Sequence, residues 1–256
     1  MVEFDNLINT VRRLREVDGC PWDRAQTEST LMPYLLEEVY EVLETIESKN
    51  SRGLSKELGD LLFQIVLLAQ IAEEKNQFDM RVVLKQINQK MIDRHPHVFD
   101  ATHQNTQSDG SIESWESRKA KERTADASAL AGVPRALPAL LRAHRITEKA
   151  SRVGFDWPSM EGARNKLNEE ISEFDAACAS GDPEEIAHEF GDILFTMVNI
   201  GRFLPLTPEA SLRAATIRFE QRFRYVEKRI QETGRSIHEA GLDELENLWV
   251  EAKREE

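Results

Sequence analysis

Apolar residues along this chain recur every three to four positions through long segments, the period of a single helix face. In the first half the pattern predicts helices over 4–17, 29–48, 52–75, 79–93 and 112–122. In the second it predicts them over 137–151, 159–179, 183–203, 208–232 and 243–255. Strict two-residue alternation, the mark of a half-buried strand, is missing, as are runs rich in Val, Ile and Thr. With only 9 Pro and 12 Gly among 256 residues, little interrupts a helix. The expected fold is all-α. The polar stretch 101–111 reads as a loop, and 123–140, with Pro134 and Pro138, reads as an interdomain connection.

The helical pattern is written twice. Residues 35–66 overlay 167–198 without gaps, matching Glu37 with Glu169, Glu38 with Glu170, Glu41 with Glu173, Glu57 with Glu189, Gly59 with Gly191 and Asp60 with Asp192. A repeat this long predicts duplicated domains rather than a solenoid. The expected boundaries are 1–122 for the first unit, 123–137 for the linker and 138–256 for the second. Each unit holds four or five helices, too few to enclose a deep site alone, so completion by a facing subunit in a homodimer is expected.

Carboxylates at helical spacing raise the chemical question. In "EEVYE" Glu37 and Glu41 share a face with Glu38 one step round, and in "ELGD" Glu57 and Asp60 lie one turn apart. If the two helices fold back antiparallel, Glu38 opposite Asp60 and Glu41 opposite Glu57 are both symmetric about residue 49. In the second half Glu170 with Asp192 and Glu173 with Glu189 are both symmetric about Gly181. Gly59 and Gly191 are expected to let the helices approach closely at that level. Glu is a good helix former, so a solvated acidic face is the plain reading of any one such motif. Two motifs, both repeated and both symmetric about a turn, point instead to four acids facing each other. Such a group requires a counter-charge, and a hard divalent cation with oxygen ligands supplies it. A ferritin-like di-iron site wants Glu-x-x-His from two helices. Glu185 and His188 fit, but their first-half counterparts are Gly53 and Lys56, so oxygen-only Mg²⁺ or Mn²⁺ suits both halves better.

Beside the acids stand cations and aromatics. Arg218 and Arg222 are four apart in "TIRFEQRFRYVEKR", next to an apolar stripe of Phe219, Phe223, Val226 and Ile230 that is expected to be core. Lys90 and Arg94 repeat the pair in the first half. An aromatic and a lysine recur four apart as Trp115/Lys119 and Trp249/Lys253, and Lys166 precedes Glu169 by three. Lys and Arg near bound Mg²⁺ suit phosphate oxygens, and Trp249 can stack on a base or cover the pocket. His95 and His97 lack two further ligands for zinc and read as a helix-ending turn. No Gly-rich phosphate loop is present.

The charge balance of 33 basic against 46 acidic residues, net −13, argues against binding to nucleic-acid polymers or anionic membranes. Two cysteines, one in each half, fit no disulfide framework. Without an apolar leader or an 18-residue apolar run, a soluble cytoplasmic protein is expected.

These strings, together with "GCPWDRAQT", "RHPHVF" and "VGFDW", make nearly the whole chain resemble the bacterial two-domain form of the MazG family of nucleoside triphosphate pyrophosphohydrolases. EExxE followed by ExxD is the signature of the all-α NTP pyrophosphatase superfamily, to which MazG belongs. The resemblance implies Mg²⁺-dependent hydrolysis of nucleoside triphosphates, ribo- and deoxyribo-, to monophosphate and pyrophosphate in nucleotide-pool control, by a dimeric protein. By position it implies that Glu170, Glu173, Glu189 and Asp192 hold Mg²⁺ and that Glu169 supports the metal site or activates water. It assigns Lys166, Arg218, Arg222 and Lys253 to the triphosphate and Trp249 to the nucleotide, with Glu185 and His188 bordering the pocket. The family's two-domain members place the main catalysis in the second half. The first-half set, Glu37, Glu38, Glu41, Glu57, Asp60, Lys90, Arg94, Trp115 and Lys119, is either a second active site or a regulatory and assembly domain. It carries Tyr34 where the second half carries Lys166. The competing readings are a narrow dUTPase-like or modified-nucleotide pyrophosphatase and a non-enzymatic acidic helical adaptor.

Overall fold

A computed structural model describes residues 2–99 and 128–255. The chain divides into two compact units, Met1–Thr124 and Ala125–Glu256. The described residues of the first unit form α1 (Val2–Arg15), α2 (Pro21–Ala25), α3 (Glu28–Glu47), α4 (Ser51–Glu74), α5 (Met80–Arg94) and α6 (Pro96–Phe99). Those of the second form α7 (Ala139–Ser151), α8 (Met160–Ser180), α9 (Pro183–Gly201), α10 (Pro208–Glu232) and α11 (Leu242–Arg254), with a 3₁₀ turn at Ile237–Glu239. There is no strand among the described residues, so the all-α duplicated architecture stands. Every predicted helix that falls on described residues is present, with ends within two residues of those expected. The predicted helix 112–122 lies outside the described residues. The short α2, α6 and the 3₁₀ turn were not expected, because fewer than two turns show no period.

In each unit the second and third long helices make an antiparallel hairpin, α3 on α4 and α8 on α9, the most extensive packing present. The first long helix lies against the second arm of that hairpin, α1 on α4 and α7 on α9. The hairpin turns follow local chemistry. Thr27 and Thr30 form a capping box that starts α3. Ser48 ends it, Lys49 takes a left-handed φ of 53°, and the Asn50 side chain accepts the Gly53 N–H at 2.9 Å to start α4. In the second unit Gly181 takes φ 76° as the C-cap of α8, where a residue with a Cβ would be strained. Asp182 then accepts the Glu184 N–H at 2.9 Å, with Pro183 as the first residue of α9. The two left-handed residues, Lys49 and Gly181, are the centres about which the acids are symmetric.

The first unit has a clear core of Val11, Leu31, Val66, Leu67, Ala69, Ile71 and Met80, joining α1, α3, α4 and α5. It is tied at one end by Arg15, whose guanidinium donates to Glu74 at 2.7 Å and to the carbonyls of Asp23 and Gln26, fixing the α2 segment of "GCPWDRAQT". In the second unit the buried apolar residues are fewer and smaller: Ala163, Ala177, Val198, Val226, Ile230 and Ala252. There Arg202, its side chain 10% exposed, pairs with Asp156 of "VGFDW" and donates to Asn199 at 2.7 Å. On α9, Phe190, Leu194, Phe195 and Met197 remain exposed. One expectation fails. A Cβ built on Gly59 or Gly191 meets nothing within 4 Å, so neither glycine marks close packing of its own hairpin. Both glycines lie at exposed positions on their helices.

Candidate metal and nucleotide site

Antiparallel packing brings together three of the four expected carboxylates in each half. Oxygens of Glu38, Glu41 and Glu57 lie within 4.8 Å of one another, and so do those of Glu170, Glu173 and Glu189. Asp60 and Asp192 stand apart from these trios. Each is held by the residue four positions earlier on its own helix, Lys56 Nζ at 3.4 Å from Asp60 and His188 Nε2 at 3.5 Å from Asp192. Glu37 is exposed, and Glu169 is exposed but bonded to Lys166. Glu185 accepts from the Ser180 hydroxyl at 3.3 Å, beside the turn.

Each trio carries a lysine. Lys166 on α8 lies 2.6 Å from Glu169, 3.0 Å from the buried Glu170 and 3.9 Å from Glu173. The hydrogen bonds it donates to Glu169 and Glu170 hold its ammonium well above the usual lysine range. Lys56 on α4 lies 3.1 Å from Glu57, and that bond raises its ammonium likewise. Partial desolvation pushes the Glu173 carboxyl up, Lys166 pulls it down, and the neighbouring Glu169, Glu170 and Glu189 add to the rise. Glu41 is raised chiefly by sharing a hydrogen bond with Glu57. Such upward shifts mark acids with too little positive charge nearby. Glu38 adds a second sign of this kind, since its Oε2 is buried and has no hydrogen-bond partner. An all-oxygen donor set, crowded and under-neutralised, fits a hard divalent cation.

Gln64 escaped the sequence reading, and Lys56 entered it only as the counterpart of His188, not as a partner of the acids. Lys56 was legible from its spacing four before Asp60. Gln64, buried on α4, reaches Glu38 at 3.5 Å through its Nε2, and no sequence pattern announced it.

The cations and aromatics of the second unit gather on α10 and α11. Phe219 lies 5.0 Å from Trp249 and 6.0 Å from Phe223, the two Phe planes 9° apart. The Arg222 guanidinium sits 5.7 Å from the centroid of Trp249. Arg218 and Lys253 are exposed. Phe219 and Phe223 are 55% and 39% exposed, so they are not core as expected. Val226 and Ile230, further along the same helix, are buried instead, and Phe219 stays more than half exposed although Trp249 of α11 lies against it. In the first unit Lys90 is exposed, whereas Arg94 is buried and engaged. Trp115 and Lys119 lie outside the described residues. His95 caps the end of α5 and its Nδ1 lies 2.7 Å from the Met91 carbonyl, as a helix-ending turn requires.

Within the second unit α8 packs on α9, α10 packs on α11, and α7 packs on both α9 and α10. Apart from the 3₁₀ turn against α10, no other pair there shares more than marginal contact among the described residues. The acids with Lys166 and the remaining cations Arg218, Arg222 and Lys253 therefore occupy separate helix pairs joined through α7.

The fold and the site define a tandem all-α protein whose hairpins present facing carboxylates. Residues 26–99 match the MazG nucleotide pyrophosphohydrolase domain, and residues 144–229 match the phosphoribosyl-ATP pyrophosphohydrolase model. Over 252 residues the chain is 43% identical to the nucleoside triphosphate pyrophosphohydrolase/pyrophosphatase MazG of Thermotoga maritima, covering 98% of this chain and 95% of the relative. It is 41% identical over 262 residues to the nucleoside triphosphate pyrophosphohydrolase of Escherichia coli, covering 100% and 99%. A Bacillus subtilis protein, YabN, is 39% identical over 257 residues, and the match covers 52% of its length. The chain belongs to the MazG family. No helix among the described residues is long and apolar enough to cross a membrane.

Proposed function

We propose that this protein hydrolyses nucleoside triphosphates, ribo- and deoxyribo-, to nucleoside monophosphate and pyrophosphate, with Mg²⁺ as cofactor and Mn²⁺ as a substitute. The observation that carries the reading is the trio Glu170, Glu173 and Glu189, whose oxygens lie within 4.8 Å of one another in a chain that belongs to this family. Glu170, Glu173 and Glu189 hold the cation, and Asp192 joins them when His188 releases it. Bound there, Mg²⁺ would polarise the phosphate and lower the pKa of the attacking water. Glu169 takes the proton from that water as the anhydride between the α- and β-phosphates breaks. Lys166, Arg218, Arg222 and Lys253 neutralise the pyrophosphate that leaves, and Trp249 lies against the base. Glu185 and His188 border the pocket.

Arg218, Arg222 and Lys253 must meet the acids, and in one chain they stand on a separate helix pair. With Phe190, Leu194 and Met197 exposed along α9, a homodimer that covers this face and completes the pocket accounts for both. The domain limits 1–122 and 138–256 with a linker between them, a cytoplasmic location and a role in controlling the nucleotide pool belong to the same reading. Product analysis tests it. Purified protein with ATP, dCTP and dUTP is expected to release monophosphate and pyrophosphate from all three, and EDTA is expected to stop it. Nucleoside diphosphate plus phosphate, or no turnover, would overturn the assignment.

A further inference from the structure

The two carboxylate trios are alike, but the lysine against each arrives from a different helix. At the place of Lys166 on α8 the first half has Tyr34 on α3, packed edge-on against Trp22 at 5.6 Å. At the place of Lys56 on α4 the second half has His188 on α9. The halves have thus exchanged the position of the cation while each keeps one. Lys166 reaches three acids, Glu169, Glu170 and Glu173, between 2.6 and 3.9 Å. Lys56 reaches two, Glu57 and Asp60, at 3.1 and 3.4 Å. A point charge on a flexible four-carbon stem can leave such a site without unfolding it.

We propose that Lys166 and Lys56 are tethered counter-ions that hold the carboxylates until a divalent cation displaces them, and that the Lys166 ammonium so released couples cation binding to phosphate binding. The coupling rests on the assignment of the trio to a divalent cation and of Lys166 to the triphosphate. Cation and ammonium compete for the same oxygens, so each lysine weakens binding of the cation alone. Once displaced, Lys166 becomes available to a polyphosphate, and its departure also leaves Glu169 unpaired. By thermodynamic linkage the cation then tightens nucleotide binding and the nucleotide tightens cation binding by the same factor. Lys56 lies on the opposite arm of its hairpin, and the first half has Tyr34, not a second lysine, at the position of Lys166. It gives the first half the competition without that coupling.

The test uses the full chain and Mn²⁺ alone, followed by electron paramagnetic resonance of the free ion. Lys166→Met, which keeps the stem and removes the charge, is expected to tighten one class of Mn²⁺ site by roughly tenfold, the scale of one partly screened charge close by. Lys166→Arg is expected to leave it near wild type, and Lys56→Met to tighten the other class. With a non-hydrolysable α,β-methylene ATP, Mn²⁺ is expected to raise nucleotide affinity in wild type and to lose roughly tenfold of that effect in Lys166→Met. Unchanged or weaker Mn²⁺ binding in Lys166→Met, with wild-type binding still lost in Glu170→Gln, would overturn the counter-ion role alone. Mn²⁺ binding indifferent to both Glu170→Gln and Glu38→Gln would overturn the carboxylate assignment beneath it as well.

Discussion

Glu170 is where the cost of the site should be measurable without any substrate. Its side chain is 6% exposed, with Lys166 3.0 Å away and two further carboxylates, Glu173 and Glu189, within 4.8 Å. At equal dielectric, two repulsions at that distance slightly outweigh the one attraction. Desolvation of the buried carboxylate is then left uncompensated, a net cost on the order of 1–2 kcal/mol. Glu170→Gln keeps the shape and removes the charge. In EDTA it is expected to melt higher than wild type by about 3–6 °C. Cation binding reverses the order, because a ligand at a hundredfold excess over its Kd stabilises by about 2.7 kcal/mol, and the variant forfeits this. Thermal unfolding followed by far-UV circular dichroism, in EDTA and in saturating MgCl₂, reads both arms. A variant less stable than wild type in EDTA would refute the argument that the trio is under-neutralised. Equal stabilisation of both proteins by Mg²⁺ would remove the cation from the trio.

Glu173→Ala and Asp192→Ala are each expected to lower pyrophosphate release by at least about a hundredfold with the helical signal intact, the loss typical of a site residue acting in the transition state; wild-type turnover in either would remove it from the site. Asp156→Ala leaves the Arg202 guanidinium, 10% exposed, with Asn199 and without its ion partner, and should cost about 2 kcal/mol in urea unfolding. The hydrogen bond from Arg202 depresses the Asp156 carboxyl, so this contribution is present above the ordinary aspartate range and is lost as pH falls through the lowered value. An unfolding midpoint unchanged by the substitution at neutral pH would contradict it. Gly191→Ala should stabilise the chain by about 0.5–1 kcal/mol, since a Cβ there meets nothing within 4 Å and alanine is the better helix former. A destabilised variant, measured by the same melt, would mean that something packs on that edge of α9.

Much of the fold could be read from the sequence because its helices are long. Periodicity over α3, α4, α8 and α9 placed the hairpin arms to within two residues. The symmetry of Glu41 and Glu57 about residue 49 then set them opposite each other without any tertiary information. The argument failed where it depended on side-chain length and on what lies beyond one helix. Asp60 and Asp192 satisfy the same symmetry, yet their shorter side chains stay with Lys56 and His188 on their own helices. The Phe219 stripe has the period of a core face, but period alone does not say how fully a neighbour covers it, and Trp249 leaves Phe219 55% exposed. Nor does a glycine between two acids announce close packing, since its edge can face outward.

The exchange of lysines shows which part of the site the scaffold dictates. Facing acids follow from hairpin geometry: the turn fixes the register, the register fixes which residues oppose, and a shift of one residue would rotate a carboxylate about 100° away from its partners. The acids therefore occupy matching positions in both halves. A counter-ion is under no such constraint, because a lysine stem spans a full helical turn and either arm can bring an ammonium to the trio: Lys166 reaches Glu170 and Glu173 on its arm, Lys56 reaches Glu57 on the other. Lys166 and Lys56 solve the same electrostatic problem from opposite sides. What distinguishes the solutions is which acids are freed when the ammonium leaves. Lys166 releases Glu169, Glu170 and Glu173 together, whereas Lys56 releases Glu57 and Asp60. Each departure frees one acid outside its trio, but Asp60 matches the proposed cation ligand Asp192, whereas Glu169 is the residue we propose as the base.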